Sequence, residues 1–233
     1  MKKVFLTLLW AAVAMLFAAT AQNSRTMYIM KNGITTYQVA VSEFDSIIFY
    51  APEIFTTDPG VVINGVKWAT RNVDEVGTFA ATPESAGKFY QWNRNVAWNA
   101  TGSVSGWDRT VPTGTSWTRA NDPSPAGWRV PTYFEMQSLL DTNKVRSVWT
   151  TQNGVNGRRF TDRSNGNSLF LPAVGYRNIL YSTLYDAGTQ GNYWSNIQSS
   201  EEFALRLGFH DIGDAYLHSL ERRHGFSVRS VAE

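Results

Sequence analysis

Hydrophobic and polar positions along the chain follow two periods. In residues 25–50, "RTMYIMKNGITTYQVAVSEFDSIIFY", two β-rich runs, Met27–Met30 and Thr35–Val41, flank Asn32-Gly33. An Asn-Gly pair between such runs predicts a two-residue hairpin, because both turn positions need a positive φ that these residues tolerate. "DSIIFY" predicts a third strand. Residues 51–60, "APEIFTTDPG", hold two prolines and close on Pro-Gly, which marks a linker. This divides the chain into a small β module at 22–50, a linker at 51–60 and a larger domain at 61–233. The other arrangement, in which residues 22–60 supply the first strands of one domain, stays open.

From Val61 the elements are short. "VVINGVKWATRNV" predicts two strands around Asn64-Gly65, and residues 93–127, rich in Asn, Gly, Ser, Thr, Pro and Trp, predict long ordered loops. The helical period surfaces once, in "AGWRVPTYFEMQSLLDTN". Thr132 is the predicted N-cap, Glu135 completes a capping box, Tyr133, Met136 and Leu140 share a face, and Pro131 blocks upstream continuation. "NSLFLPAVGYR" predicts a buried strand ending at Pro172, and "GNYWSNI" and "FALRLGF" predict two more, with Gly191 making a tight turn ahead of Trp194. In "GFSVRSV", Phe226 and Val228 alternate with Ser227 and Arg229, the pattern of a half-buried strand. No repeat of fixed period is present. The expected class is α+β, with antiparallel strands, long loops and one clear helix.

The N-terminus changes the picture of where the chain works. Lys2 and Lys3 precede an apolar run from Val4 to Ala19, and Ala19-Thr20-Ala21 follows in an A-x-A pattern. A basic start, a short apolar core and small residues at its end describe a secretory signal peptide, residues 1–21. The run is shorter than the ~20 residues a spanning helix needs, so no permanent membrane span is expected after cleavage. Removing Lys2 and Lys3 from 21 basic residues leaves 19, against 19 acidic ones. The basic isoelectric point thus belongs to the precursor, and nucleic acid is not an expected partner. The chain has no cysteine, so stability after export rests on the core rather than on disulfides. Tryptophan, tyrosine and phenylalanine supply that core. The excess of arginine over lysine suggests guanidinium groups with structural partners.

Six ordered stretches carry a resemblance: "INGVKWATRNVD", "GKFYQWN", "PAGWRVPTYFEMQSLL", "SLFLPAVGYR", "GNYWSN" and "HGFSVRSV". Together they resemble the Fibrobacter succinogenes major paralogous domain, common in exported proteins of Bacteroidetes and Fibrobacteres, over roughly residues 61–232. Residues 25–50 resemble the leader modules of secreted Bacteroides proteins. The resemblance implies a C-type lectin-like fold in which the terminal strands meet. Read physically, the same motifs name scaffold residues. Trp128 is expected in the core beneath the helix start, Arg129 on loop carbonyls or a carboxylate, and Trp194 and Arg229 within the last strands. Gly225 is expected to close the turn before "GFSVRSV", while Thr132 and Glu135 cap the helix.

Several chemistries are missing by sequence. Without cysteine there is no thiol nucleophile, and "GSVSG" at 102–106 has Val104 where a nucleophile elbow needs serine. G-x-x-x-x-G-K-[ST] and H-E-x-x-H are absent. The calcium-dependent sugar signatures Glu-Pro-Asn, Gln-Pro-Asp and Trp-Asn-Asp are absent too; Asp162 and Asn165–Asn167 offer only a thin oxygen set for calcium. All three histidines fall in "HDIGDAYLHSLERRH", residues 210–224, read as a strand, a turn at "DIGD", a return strand from Ala215 to Leu220 and a second turn. That meander separates His210, His218 and His224, whereas a catalytic zinc site needs its ligands to converge. No metal, cofactor or catalytic residue is expected.

The hairpin is read instead as a recognition face. Tyr216, His210, His218 and Arg222 are candidate contact residues, joined by Tyr176, Tyr181, Tyr185 and Tyr193 in a glycine-broken region. In proteins of the fold it resembles, including retroelement-diversified receptors, binding residues often lie near the chain's end. The expected role is non-catalytic binding of a glycan, a peptide or a surface protein, in the periplasm or on the outer cell surface. Two other roles stay open. One is a polysaccharide- or peptidoglycan-acting hydrolase using acid pairs such as Asp211/Asp214 or Glu201/Glu202. The other is a structural subunit of a surface fibre.

Overall fold

The computed structural model describes residues 26–31, 34–40 and 55–233. The chain divides into two compact units, Met1–Glu53 and Ile54–Glu233. In the first, β1 (Thr26–Lys31) and β2 (Ile34–Ala40) pair antiparallel with Lys31 opposite Ile34. That register leaves two positions between the strands, and the turn expected at Asn32-Gly33 lies outside the described residues. The expected third strand, 45–50, lies outside the described residues, as do the signal segment 1–21 and residues 51–54 of the expected linker.

The larger unit starts earlier than its sequence boundary. Asp58 accepts hydrogen bonds from the backbone N–H of Gly60 (2.8 Å) and Thr70 (2.9 Å), from the Thr70 hydroxyl and from Arg71 Nε. Burial alone would raise the Asp58 pKa; these donors outweigh it and hold the carboxyl below its ordinary range. Residues 55–60, read as linker, are thereby fixed to this unit.

Its strands are β3 (Val61–Ile63), β4 (Val66–Trp68), β5 (Lys88–Gln91), β6 (Trp98–Asn99) and β7 (Trp128–Arg129), followed by helix α1 (Tyr133–Ser138). Then come β8 (Val145–Gln152), β9 (Val155–Asp162), β10 (Ser168–Pro172), β11 (Tyr176–Arg177), β12 (Leu184–Tyr185) and β13 (Gln190–Gln198). The last are β14 (Phe203–His210), β15 (Tyr216–Glu221), β16 (Gly225–Phe226) and β17 (Val231–Ala232). They form four sheets with the orders β3-β4-β17-β7, β8-β9-β10, β13-β14-β15 and β12-β11-β16-β5-β6. All strand pairs are antiparallel. The class is therefore β-rich α+β with one short α-helix among the described residues, and the last strand pairs beside the first ones of the unit. No helix among the described residues is long and apolar enough to cross a membrane.

Helix α1 is set by its N-terminus. Thr132 accepts from the Glu135 N–H and Glu135 accepts from the Thr132 N–H, a complete capping box. Arg129 donates to both Glu135 carboxylate oxygens, at 2.8 and 2.7 Å. Burial would raise the Glu135 pKa, but Arg129 and Thr132 together hold it below the usual range.

The β13-β14-β15 sheet has apolar packing on both faces of its central strands. Tyr193, Leu207 and Phe209 enter the main core with Ile63, Trp68, Met136, Leu139 and Phe160. Trp194 and Ala204, facing the other way, enter a second core with Tyr90, Trp92, Phe226 and Val228. The expected half-buried alternation is corrected here. In "GFSVRSV", Ser227 and Arg229 are as buried as Phe226 and Val228, and only Gly225–Phe226 and Val231–Ala232 are strand. Gly191 makes no turn: it sits inside β13 opposite Phe209, where a Cβ would collide with the Phe209 ring. Trp128 does not lie under the helix start; it packs edge-on to Phe79 (5.6 Å) in a satellite core with Ala69.

The long segment 93–127 is ordered by arginines rather than by sheet. Arg177 donates to the carbonyls of Asn99, Thr101, Gly102 and Ser182. Arg222 donates to Pro112, Gly114 and Ser200 while lying 4.4 Å over Trp92. Planar, multi-donor guanidinium groups suit this bracing of loop carbonyls.

Candidate functional site

One face of the β13-β14-β15 sheet, together with β11, β12 and β16, gathers most of the expected contact residues. Pairing puts Gln190 opposite His210, Asn192 opposite Gly208 and Trp194 opposite Arg206; on the other side Gly208 faces Tyr216 and Arg206 faces His218. Paired residues project to the same face, so these side chains share one surface.

The rings there form a continuous run. Tyr185 stacks on Tyr176 (5.9 Å, 27°), and Tyr176 meets His224 (5.5 Å) and Phe226 (5.9 Å) edge-on. His224 stacks on Phe226 at 5.4 Å. The Arg206 guanidinium lies 5.7 Å from the Phe226 ring and 5.3 Å from the Tyr216 ring. Tyr216 in turn stacks on His210 (5.8 Å, 14°). Tyr185 at 44% exposure and Tyr181 at 73% open this wall to solvent on the β11–β12 hairpin. Ser182 and Asp186 of that hairpin hold positive φ, 53° and 57°, a strain that side chains other than glycine seldom carry. A cleft of about 300 Å³ beside it is lined by Gly102, Val104, Arg177, Tyr181 and Ser182. A larger groove, about 610 Å³, lies around Phe134, Gln137 and Leu217, away from the wall.

Electrostatics within the wall follow burial. Burial pushes the His224 pKa below its ordinary value, outweighing the hydrogen bond from its Nδ1 to the Glu221 carbonyl (3.1 Å), and the Arg206 charge lowers it further. Burial raises the Tyr176 pKa, with the Asp186 charge adding to it. His210 Nε2 is 2.8 Å from the Tyr216 hydroxyl and 3.3 Å from Gln190 Nε2.

Two of the expected contact residues are not surface groups. Tyr193 is fully buried, its hydroxyl donating to the Pro172 carbonyl at 2.7 Å, and burial lifts its pKa to about 12. Arg222 is 1% exposed and braces loops. Tyr176, Tyr185, His210 and Tyr216 belong to the wall. His218 is exposed opposite Arg206, and Tyr181 projects from the β11–β12 hairpin.

The scaffold residues sit as follows. Trp194 is buried, donates Nε1 to the Tyr90 carbonyl (2.8 Å) and packs 4.2 Å from Phe226. Gly225 pairs with Arg177 and Gln91, and a Cβ there would strike the Trp107 ring. Arg229 donates to Asn72 Oδ1 at 2.9 Å, and burial draws its pKa down to about 10. The acid pairs lie at opposite ends of β14, Glu201/Glu202 before it and Asp211/Asp214 after it. At ~3.4 Å per residue that separates them by roughly 25 Å. Among the described residues no three His, Cys, Asp or Glu side chains are placed to share a metal ion.

Sequence reading missed the residue at the centre of the wall, Arg206, which is 4% exposed. Its Nε and Nη1 have no hydrogen-bond partner among the described residues, and its Nη2 has only the Tyr216 hydroxyl at 3.5 Å. Both polar atoms of the Asn192 amide and the Ser227 hydroxyl are likewise buried without partners. A Cβ at Gly208 would collide with Arg206 Nη1, so that glycine makes room for the guanidinium. The available signal was small: an arginine flanked by leucines in "FALRLGF", with a glycine two residues on. No family model, curated protein or solved structure matches the chain.

Proposed function

We propose that this chain is an exported, non-catalytic recognition module of C-type lectin-like architecture, of the kind its motifs resemble, acting at the cell envelope or surface. The ligand is a glycan, a peptide or a protein partner, and the wall is the contact face. The observation that carries this reading is the unbroken run Tyr185–Tyr176–His224–Phe226–Arg206–Tyr216–His210. Aromatic rings present large area at little entropic cost, and their faces suit sugar rings and apolar side chains alike. Open tyrosines on a hairpin braced by Arg177 supply rigidity without closing the surface.

The test is binding of the purified protein to a glycan array and to envelope proteins, beside a Tyr181→Ala/Tyr185→Ala double variant. Both positions are exposed, so the variant should stay folded, losing about 1 kcal/mol with the Tyr185–Tyr176 stack. Loss of binding in that variant is expected. Retained binding at wild-type strength would remove the wall as the contact face.

A further inference from the structure

We propose that Arg206 binds a carboxylate, so that the ligand is an acidic glycan bearing uronic or similar acid sugars; this rests on the recognition reading above. The argument begins with the other buried arginines. Arg71 meets Asp58 and the Ala80 carbonyl, Arg158 meets Asp214 and the Gly213 carbonyl, and Arg177 and Arg222 are ringed by loop carbonyls. Arg229 meets Asn72 and the Ala69 carbonyl. Arg206 alone among these has no carbonyl or carboxylate, only the Tyr216 hydroxyl at 3.5 Å and the faces of Tyr216 and Phe226. A guanidinium stays charged at any physiological pH, and buried charges in folded proteins are paired. Cation–π contact offsets part of that deficit and satisfies none of the N–H donors.

The neighbourhood repeats the pattern. Asn192, in register with Gly208 beneath the guanidinium, has both amide atoms unpartnered, and the Ser227 hydroxyl is unpartnered beside it, its backbone N–H bonded to the Asn192 carbonyl. Three adjacent polar side chains without partners form a binding set rather than a single packing fault. Neither acid beside the wall pairs with Arg206: Glu221 pairs with Arg223, and Asp186 is exposed. Tyr216 holds the guanidinium by one long contact and is itself held by His210 at 2.8 Å; turning its ring aside at the cost of that contact would free the guanidinium, whose Nε–Nη2 edge fits a carboxylate bidentately. The sugar ring would then lie against Tyr176 and Tyr185. A glycan is favoured over an acidic peptide because the stacked pair Tyr176–Tyr185 lies one ring, Phe226, from the buried guanidinium, so that a sugar face and its carboxylate could be met together.

Thermal-shift and calorimetric titrations of the full protein, with oligogalacturonates, their methyl esters, neutral hexose oligomers of equal length and acidic peptides, test this. The oligogalacturonates should bind, and their methyl esters and the Arg206→Met variant should each bind about tenfold more weakly or not at all. Without ligand, Arg206→Met should melt at or above the wild-type temperature, because an unpaired buried charge is replaced by an apolar side chain of similar length. A fall of several degrees would mark Arg206 as a structural strut and overturn the proposal. Equal binding of acid and ester would overturn the carboxylate while leaving the wall as contact face. Binding of acidic peptides alone would overturn the glycan. No binding of the wild-type protein to any of these probes, to the glycan array or to envelope proteins would remove both readings.

Discussion

The Tyr216 hydroxyl lies 2.8 Å from His210 Nε2, with the two rings 14° from parallel, while the same hydroxyl is 3.5 Å from Arg206 Nη2. The tyrosine is thus tied to the histidine and only lightly to the arginine it covers. Phe at 216 should cost about 1 kcal/mol in denaturant unfolding, the worth of one partly buried hydrogen bond. Ala at 216 should do more, opening the guanidinium to solvent. Modification by phenylglyoxal, read by mass spectrometry of the peptide containing Arg206, should be slow in the wild type and fast in Tyr216→Ala.

The helix cap is a separate unit of stability. Thr132→Ala removes the acceptor for the Glu135 N–H and should lower unfolding free energy by about 1 kcal/mol, with Thr132→Ser close to wild type. Glu135→Gln loses the charged arm of the Arg129 pair as well. Its cost should match or exceed that of Thr132→Ala, checked by urea midpoints at pH 7.

Stability should respond to pH through His224. Its folded pKa lies below the ordinary value of 6.5, so between the two values the unfolded chain binds the extra proton. Unfolding free energy is then intact above about pH 6.5 and is lost as pH falls toward the folded value. Replacing His224 by Gln should flatten that loss between pH 7.5 and 5.5. Glu135 and Asp58, held below their ordinary range, act lower: their contribution is present above the unfolded carboxylate pKa and disappears as pH falls through the folded one. Urea midpoints measured from pH 7.5 down to about pH 3 separate the two windows.

Two glycines inside the β13-β14 pair should differ in tolerance. A Cβ at Gly191 meets the Phe209 ring, which is locked in the main core, whereas a Cβ at Gly208 meets the end of the Arg206 side chain. Gly191→Ala should cost on the order of 1–3 kcal/mol by overpacking, and Gly208→Ala less, since a long side chain gives way more easily than a buried ring. Thermal melts of the two variants check the order.

Local chemistry was legible wherever neighbours in sequence decide the outcome. Asn32-Gly33 predicted the two-residue gap between β1 and β2, Thr132 and Glu135 predicted the cap, and Pro172 predicted the end of β10. The alternation in "FALRLGF" predicted a strand and its two faces. It did not predict that both faces are covered, because a period of two reports side-chain direction and not what packs on each side.

For that reason the sequence by itself determined the helix cap and the strands β3, β4, β10, β14 and β15, but neither the β8–β9 hairpin nor the breaks in the last strand. Which polar residues are buried was decided only in the tertiary structure. Tyr193 and Arg222, expected on the surface, are interior, and Arg206 is enclosed by Tyr216 from the same hairpin and by Phe226 from the strand after it. A buried charge and its missing partner are properties of surroundings assembled from segments distant along the chain. Asn192, Arg206 and Ser227 become one site only when β13, β14 and the segment after β16 come together.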